Sequence, residues 1–157
     1  MMRNKRGEGY ITACVTVVIL CMLIAAFLTF ISVVGTIRMT KRNARIVLDS
    51  FVIQNAIEIY DSVKNGTNHT QVLEGTEYVA DLCDFCMFEE RGEILYASSD
   101  YGEWMYSITK PVLSFTEEDT LKIIAEYTAI VPIRFGGVSV ETVRIPVKVK
   151  SRFNEKF

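Results

Sequence analysis

The sequence predicts an α+β fold. A long N-terminal helix, transmembrane at first and amphipathic after, packs on a meandering antiparallel β-sheet. Three observations predict it. Residues 10–37 read YITACVTVVILCMLIAAFLTFISVVGTI and carry no charge. Residues 38–64 contain neither proline nor glycine and repeat their apolar residues at helical spacing. From Cys86 onward the apolar period changes to two, with turn residues between short runs. Four regions result: a basic leader (1–9), a transmembrane helix (10–37), an amphipathic continuation (38–64) and a sheet domain packed on it (65–157).

The uncharged run is 28 residues long, and about 20 suffice to cross a bilayer core. A secretory signal's apolar region is only about 7–15 residues, so a cleaved signal peptide fits poorly. A buried core helix of this length needs a large domain around it, and the 157-residue chain leaves too little. Ala13, Ala25, Ala26, Ser32 and Gly35 are small enough to let another membrane helix approach, though each alone is ordinary.

The continuation carries Val47, Leu48, Phe51, Val52, Ile59, Tyr60 and Val63 on one stripe, with Ala56 between. Asn65-Gly66 reads as its stop. One unbroken helix over 10–64 would be roughly 80 Å long at about 1.5 Å per residue. Its stripe, Phe51, Ile59 and Val63 above all, is the expected cover for the sheet. Residues 65–70 (NGTNHT) form a polar loop with two N-x-T sequons. Residues 71–83 are ambiguous: Val72, Leu73, Val79 and Leu82 fit a short helix, but Gly75 weakens it.

Strands are predicted at 87–89, 93–98, 103–109 and 111–116, separated by Arg91-Gly92 and by Ser99-Asp100 with Gly102. Glu117-Glu118-Asp119 turns the chain into two longer strands. Odd positions from Leu121 to Phe135, then Val143, Ile145, Val147 and Val149, are apolar, and their neighbours are mostly polar. One face is therefore dry and one wet. Opposed residues of a hairpin share a face, so odd must pair with odd. A two-residue Gly136-Gly137 turn would pair Phe135 with Val138 and break that rule. A three-residue loop over 136–138 restores it, with Val131 opposite Val143, Ala129 opposite Ile145 and Tyr127 opposite Val147. In that register Pro132 faces Thr142 and Pro146 faces Thr128, so both prolines fall in one pairing class and can avoid ladder hydrogen bonds.

The net charge of −2 hides an asymmetry. Arg3, Lys5, Arg6, Arg38, Lys41, Arg42 and Arg45 face a single acid, Glu8, in the first 45 residues, while the rest has 10 basic and 18 acidic residues. The basic end suits anionic lipid headgroups. The acidic remainder would repel phosphate, which excludes nucleic acid as a partner. Three basic residues precede the span and four follow it, so the positive-inside rule does not decide orientation.

Little chemistry is encoded. The single histidine, His69, lies in the polar loop, and no P-loop, G-x-S-x-G or paired-histidine motif occurs. Carboxylate clusters fall in turns, so no cofactor and no small-molecule substrate is expected. Cys83-Asp-Phe-Cys86 is the one candidate chemical site. Zinc would need a second ligand pair, and only His69 and the membrane residues Cys14 and Cys21 remain. Thioredoxin-type redox sites open a helix after a strand in a βαβ unit, which is lacking here. A local Cys83–Cys86 disulfide or two unpaired thiols is the reading.

Lys5-Arg6-Gly7-Glu8-Gly9-Tyr10 and the apolar span after it resemble the start of type IV pilin-like proteins, most closely the TadE-like pseudopilins of tight-adherence (Tad) systems. The resemblance covers about the first 40 residues, the remainder being similar in architecture alone. It implies a pilin-like fold and a prepilin peptidase cut after Gly7 or Gly9 at the cytoplasmic face. It also implies a glutamate that aligns subunits about five residues beyond the cut, often followed by an aromatic. Here Glu8 directly follows Gly7, and the fifth residues after Gly7 and Gly9 are Thr12 and Cys14. Gly7, Glu8, Gly9 and Tyr10 are thus the candidate processing and assembly residues. The function expected is a non-enzymatic, membrane-anchored subunit of a Tad or type IV pilus or secretion assembly. Its partners are the lipid bilayer and other pilin-like subunits or secretion-system membrane proteins. It would be a single-pass protein of the cell membrane, N-terminus cytoplasmic and C-terminal domain outside. The alternative is a bitopic anchor whose domain binds a partner protein without forming a filament. A thiol enzyme using Cys83 and Cys86 ranks behind both.

Overall fold

In a computed structural model the apolar run is helical from Lys5 and stays so to Gln54, giving the 50-residue helix α1. The structure describes residues 5–65, 75–117, 121–135 and 138–152; side chains of residues 5–8, 62, 63, 117, 121 and 135 fall outside that description. So do the second sequon, His69, the turn at 118–119 and Gly136-Gly137. Threonines are poor helix formers, yet α1 carries several. Thr16, Thr29, Thr36 and Thr40 donate their hydroxyls to the carbonyls of Thr12, Ala25, Ser32 and Thr36, at 2.8–3.0 Å. Bonding back one turn satisfies a hydroxyl where no water is at hand.

The expected single helix over 10–64 starts earlier and is interrupted. α1 ends at Gln54, and α2 runs Ala56–Asn65. At Asn55 the backbone ladder persists, Asn55 N–H to Phe51 O at 3.1 Å and Ile59 N–H to Asn55 O at 2.9 Å. The Asn55 side-chain amide donates to the same Phe51 carbonyl at 2.9 Å. A side chain competing for a ladder acceptor is a recognised cause of helix bending.

The ambiguous stretch resolves as helix α3, Gly75–Cys86. Its end is a Schellman-type cap: Phe88 N–H donates to Cys83 O at 3.0 Å, and Met87 sits at φ 53°. The strands are β1 (Glu89–Arg91), β2 (Ile94–Ser98), β3 (Trp104–Thr109), β4 (Val112–Glu117), β5 (Leu121–Phe135) and β6 (Val138–Arg152). The first of them lies two residues later than the predicted 87–89, because α3 and its cap occupy those positions. Gly92 (φ 64°) and Gly102 (φ 76°) take the left-handed conformations that the β1–β2 and β2–β3 turns require.

All six strands form one antiparallel sheet. β5 is its spine. β6 pairs with one edge over its whole length, while β3 and β4 lie end to end along the other. The β3/β4 break falls at Lys110-Pro111, where proline has no N–H to give. There the Thr128 N–H is taken up by the Thr109 hydroxyl at 2.9 Å.

The β5–β6 register is the odd-to-odd one: Val131 opposite Val143, Ala129 opposite Ile145, Tyr127 opposite Val147, Pro132 opposite Thr142 and Pro146 opposite Thr128. It is reached differently from the expected three-residue loop. Phe135 does pair with Val138, and a bulge between Ile133 and Arg134 restores parity, since Ile133 faces Glu141 and Arg134 faces Ser139. Val140 is the extra residue.

The dry face packs on the amphipathic part of α1 and on α2. Val47, Leu48, Phe51 and Val52 of α1 and Ile59 of α2 are buried with Ile123, Ala125, Tyr127, Ala129, Val131, Val147 and Val149. α3 adds Tyr78 and Leu82, and β2 and β3 add Leu95, Ala97, Tyr106 and Ile108. Each such large side chain removed from water is worth about 1.5–3 kcal/mol. The stripe is narrower than expected at Tyr60, which is half exposed; Ile53 and Ile57, outside the expected stripe, point outward.

Candidate functional site

The first functional surface is the apolar part of α1. Its most apolar stretch is not covered at all by the rest of the chain, and Ile11, Leu20, Leu23, Phe27 and Phe30 all stand exposed. By length and composition this helix can cross a membrane. The covered part begins near Val33 and Ile37, which pack against the core cluster. Arg38, Lys41, Arg42 and Arg45 follow as an exposed basic collar. Arg45 lies 3.7 Å from Asp49, and the other Asp49 oxygen accepts from the Ser151 hydroxyl at 2.6 Å, tying β6 to the helix above the collar.

Where the collar ends and the span begins, the hairpin comes down beside α1. Ala26, Thr29, Phe30, Val33, Val34 and Ile37 of the helix face Ile133, Val143 and Ile145 across an apolar groove of about 450 Å³. Its lining is almost wholly hydrocarbon, the one hydroxyl, of Thr29, donating to Ala25 O.

Cys83 and Cys86 occupy the last turn of α3 and are free, half-buried thiols. Burial pushes both thiols up. For Cys83 the nearby Glu90 and Asp84 add to this and Lys110 opposes it. For Cys86 a hydrogen bond with Asn43 of α1 opposes it. The C-terminal end of a helix also disfavours an anion. Nucleophilic cysteines have the reverse setting, a helix N-terminus or nearby cations.

Around Cys86 lies a polar cluster that the sequence reading did not single out. The Tyr78 hydroxyl donates to Ala44 O of α1 at 3.0 Å. Tyr106 shares a hydrogen bond with Thr40. The Tyr127 hydroxyl is buried with no partner among the described residues. Burial is the leading cause that raises all three phenols. These groups join α1, α3 and the sheet. The only sequence signal was Tyr127 at an odd position of its strand and two polar residues, Thr40 and Asn43, just above the span.

The candidate processing residues Gly7, Glu8, Gly9 and Tyr10 fall in the first turns of α1. Gly9 and Tyr10 are exposed, and a Cβ at Gly9 or Gly35 would meet nothing within 4 Å. Neither glycine is therefore required by the packing of the single chain. Among the described residues no group of three or more His, Cys, Asp or Glu is placed to hold a metal ion. No protein-family model, curated protein or solved structure matches this chain.

Proposed function

We propose that the chain is a membrane-anchored, non-enzymatic structural subunit of pseudopilin type, working in a Tad or type IV pilus or secretion assembly. The observation that carries this reading is the division of α1. One helix leaves its apolar half bare and uses the rest as the central core element of a domain. An apolar helix surface of this length needs lipid or other helices, and lateral packing of such helices is how pilin-like subunits assemble. Gly7, Glu8, Gly9 and Tyr10, at the head of the same helix, carry the resemblance and are the residues that would be processed and aligned. The half-buried, unactivated thiols support a non-enzymatic role, and neither nucleic acid nor a small-molecule substrate belongs to it.

Cys14 and Cys21 are exposed on the bare half of α1, seven residues apart and so on one face. A membrane-permeable bis-maleimide applied to cells should therefore link copies into a ladder, lost in the Cys14→Ser/Cys21→Ser variant. Recovery of the monomer alone, with both thiols alkylated, would overturn the filament reading and leave the bitopic anchor with a separate partner.

A further inference from the structure

The depth of the domain relative to the bilayer follows from the helix that joins them. The uncharged run of 28 residues is about 42 Å long at about 1.5 Å per residue. That matches the roughly 40–45 Å of a bilayer with its headgroups, whose hydrocarbon core is about 30 Å. With Tyr10 and Ile37 at the outer edges of the two headgroup layers, hydrocarbon ends about four residues before Ile37, near Val33.

The lower end of the sheet reaches past that level. Ile133 and Val143 line a groove with Ala26, Thr29 and Phe30. Met105, Pro132 and Arg134 line another with Leu28, Thr29 and Ser32. The opposite end of the hairpin is fixed far above, at Asp49, by Ser151. From Ile133 the described strand ends therefore run on toward the membrane, and there β6 begins with Val138, Ser139 and Val140, uncharged and ahead of Glu141. Val138 and Val140 are 67% and 68% exposed. The β2–β3 turn ends at the same level: Arg134 donates to the Trp104 carbonyl and lies 3.7 Å from Glu103. This turn presents Tyr101, 94% exposed, and Met105. Tyrosine and tryptophan beside small apolar side chains are the composition of a membrane–water interface.

We propose that this end of the sheet, the start of β6 (residues 138–140) with the β2–β3 turn, is a second membrane contact. It seats in the interface of the leaflet from which α1 emerges. The proposal rests on the membrane-anchor reading. The Arg134–Glu103 pair sets its limit: beside Leu28 and Thr29 it draws headgroups and water down to that level, a local thinning that still leaves about 20 residues of α1 to cross the core, and Val138 beyond the pair and Val140 level with it meet the acyl boundary there. Lipid is the favoured occupant because the helix itself holds the tip at that depth. Two contacts on one leaflet stop the domain from rotating about α1, so a fixed face is turned away from the membrane. A subunit drawn into a filament would have to release this contact.

The test uses the full chain in phosphatidylcholine vesicles. Cys14, Cys21, Cys83 and Cys86 are changed to serine, and a nitroxide is placed at Val138→Cys, Val140→Cys, Leu20→Cys or Glu58→Cys. Collision with oxygen and with a water-soluble nickel chelate is compared by electron paramagnetic resonance. The labels at 138 and 140 should favour oxygen, as at 20, and the label at 58 should favour nickel. The chain's single tryptophan, Trp104, should also be quenched in the unmodified protein by phosphatidylcholine brominated near the headgroup. Aqueous labels at 138 and 140 with a lipid-exposed label at 20 would overturn the contact and leave the anchor standing. An aqueous label at 20 would overturn both. Labels at 138 and 140 shielded from both reagents would mean protein, not lipid, covers the tip, and an unquenched Trp104 would also overturn the proposal.

Discussion

Met87 shows how a single residue carries a local conflict. It caps α3 at φ 53°, where a Cβ is disfavoured by roughly 1–2 kcal/mol and glycine is the usual choice. Its side chain is 88% exposed, so little packing is lost on removal. Met87→Gly should stabilise the protein by about 0.5–1 kcal/mol after glycine's greater unfolded-state entropy is counted, measured by denaturant unfolding in detergent micelles. A destabilised variant would mean the methionine side chain has a contact that its exposure conceals. Tyr127 carries a different conflict, a buried hydroxyl without a partner among the described residues. An unsatisfied buried group costs about 1–3 kcal/mol, so Tyr127→Phe should be stabilising, by about 1 kcal/mol or more. Tyr78, Tyr106 and Tyr127 also share a pH consequence. Burial raises their folded-state pKa, so the unfolded chain loses phenolic protons first as pH rises. Stability is then fully present below the ordinary tyrosine value of about 10 and falls above it. Cys83 and Cys86 act in the same direction from the ordinary thiol range upward. Unfolding free energy measured against pH should decline on the alkaline side, less steeply in Tyr127→Phe, and a rise there would refute the assignment.

Between α1 and the sheet the energetics turn on the face each residue takes. Phe51 is 1% exposed and meets Tyr78 edge-on at 5.9 Å between ring centroids. Truncating a buried phenylalanine costs about 3–5 kcal/mol, a large part of the roughly 5–15 kcal/mol that stabilises a domain. Glu58 lies on the exposed side of α2, where substitutions usually stay within about 0.5 kcal/mol. Phe51→Ala should therefore unfold or badly weaken the domain, and Glu58→Ala should leave it unchanged, by circular dichroism melts in micelles. Equal tolerance of both would mean that α1 does not pack on the sheet. This pairing was legible in the sequence because two independent periods, 3.6 and 2, each left one apolar face. The burial of Val63 lies outside the described residues. Polarity at Asn55 was visible as well, but a helical pattern cannot tell a solvated amide from one that bonds Phe51 O and bends the helix. The hairpin register was legible from parity and the two prolines. Its bulge was not, because a loop residue and a bulge residue shift parity alike. α3 was obscured by Gly75, which is its first residue and no interruption.

On the scale of the whole molecule, the bare half of α1 was plain from composition, since 28 residues without a charge have few other uses. The buried tyrosine cluster and the lower rim of the sheet were not, because both are assembled from elements far apart in sequence. Orientation depends on the same scale. Three basic residues before the span oppose four after it, but the four are not equivalent. Arg45 lies against Asp49, and beyond the collar the chain is acidic, with 18 acids against 10 bases. The lysine and arginine count alone sets orientation and is close to balanced, so the resemblance to pilin-like proteins decides the expectation: leader inside, domain outside. Protease added to intact protoplasts should then remove the sheet domain and leave a membrane fragment containing the span. Detergent-opened protoplasts should give the same cleavage. If the domain is fully protected until the membrane is opened, the orientation is reversed. An external pilin-like assembly would then be ruled out, while the lipid contact of the hairpin tip would survive unchanged on the inner leaflet.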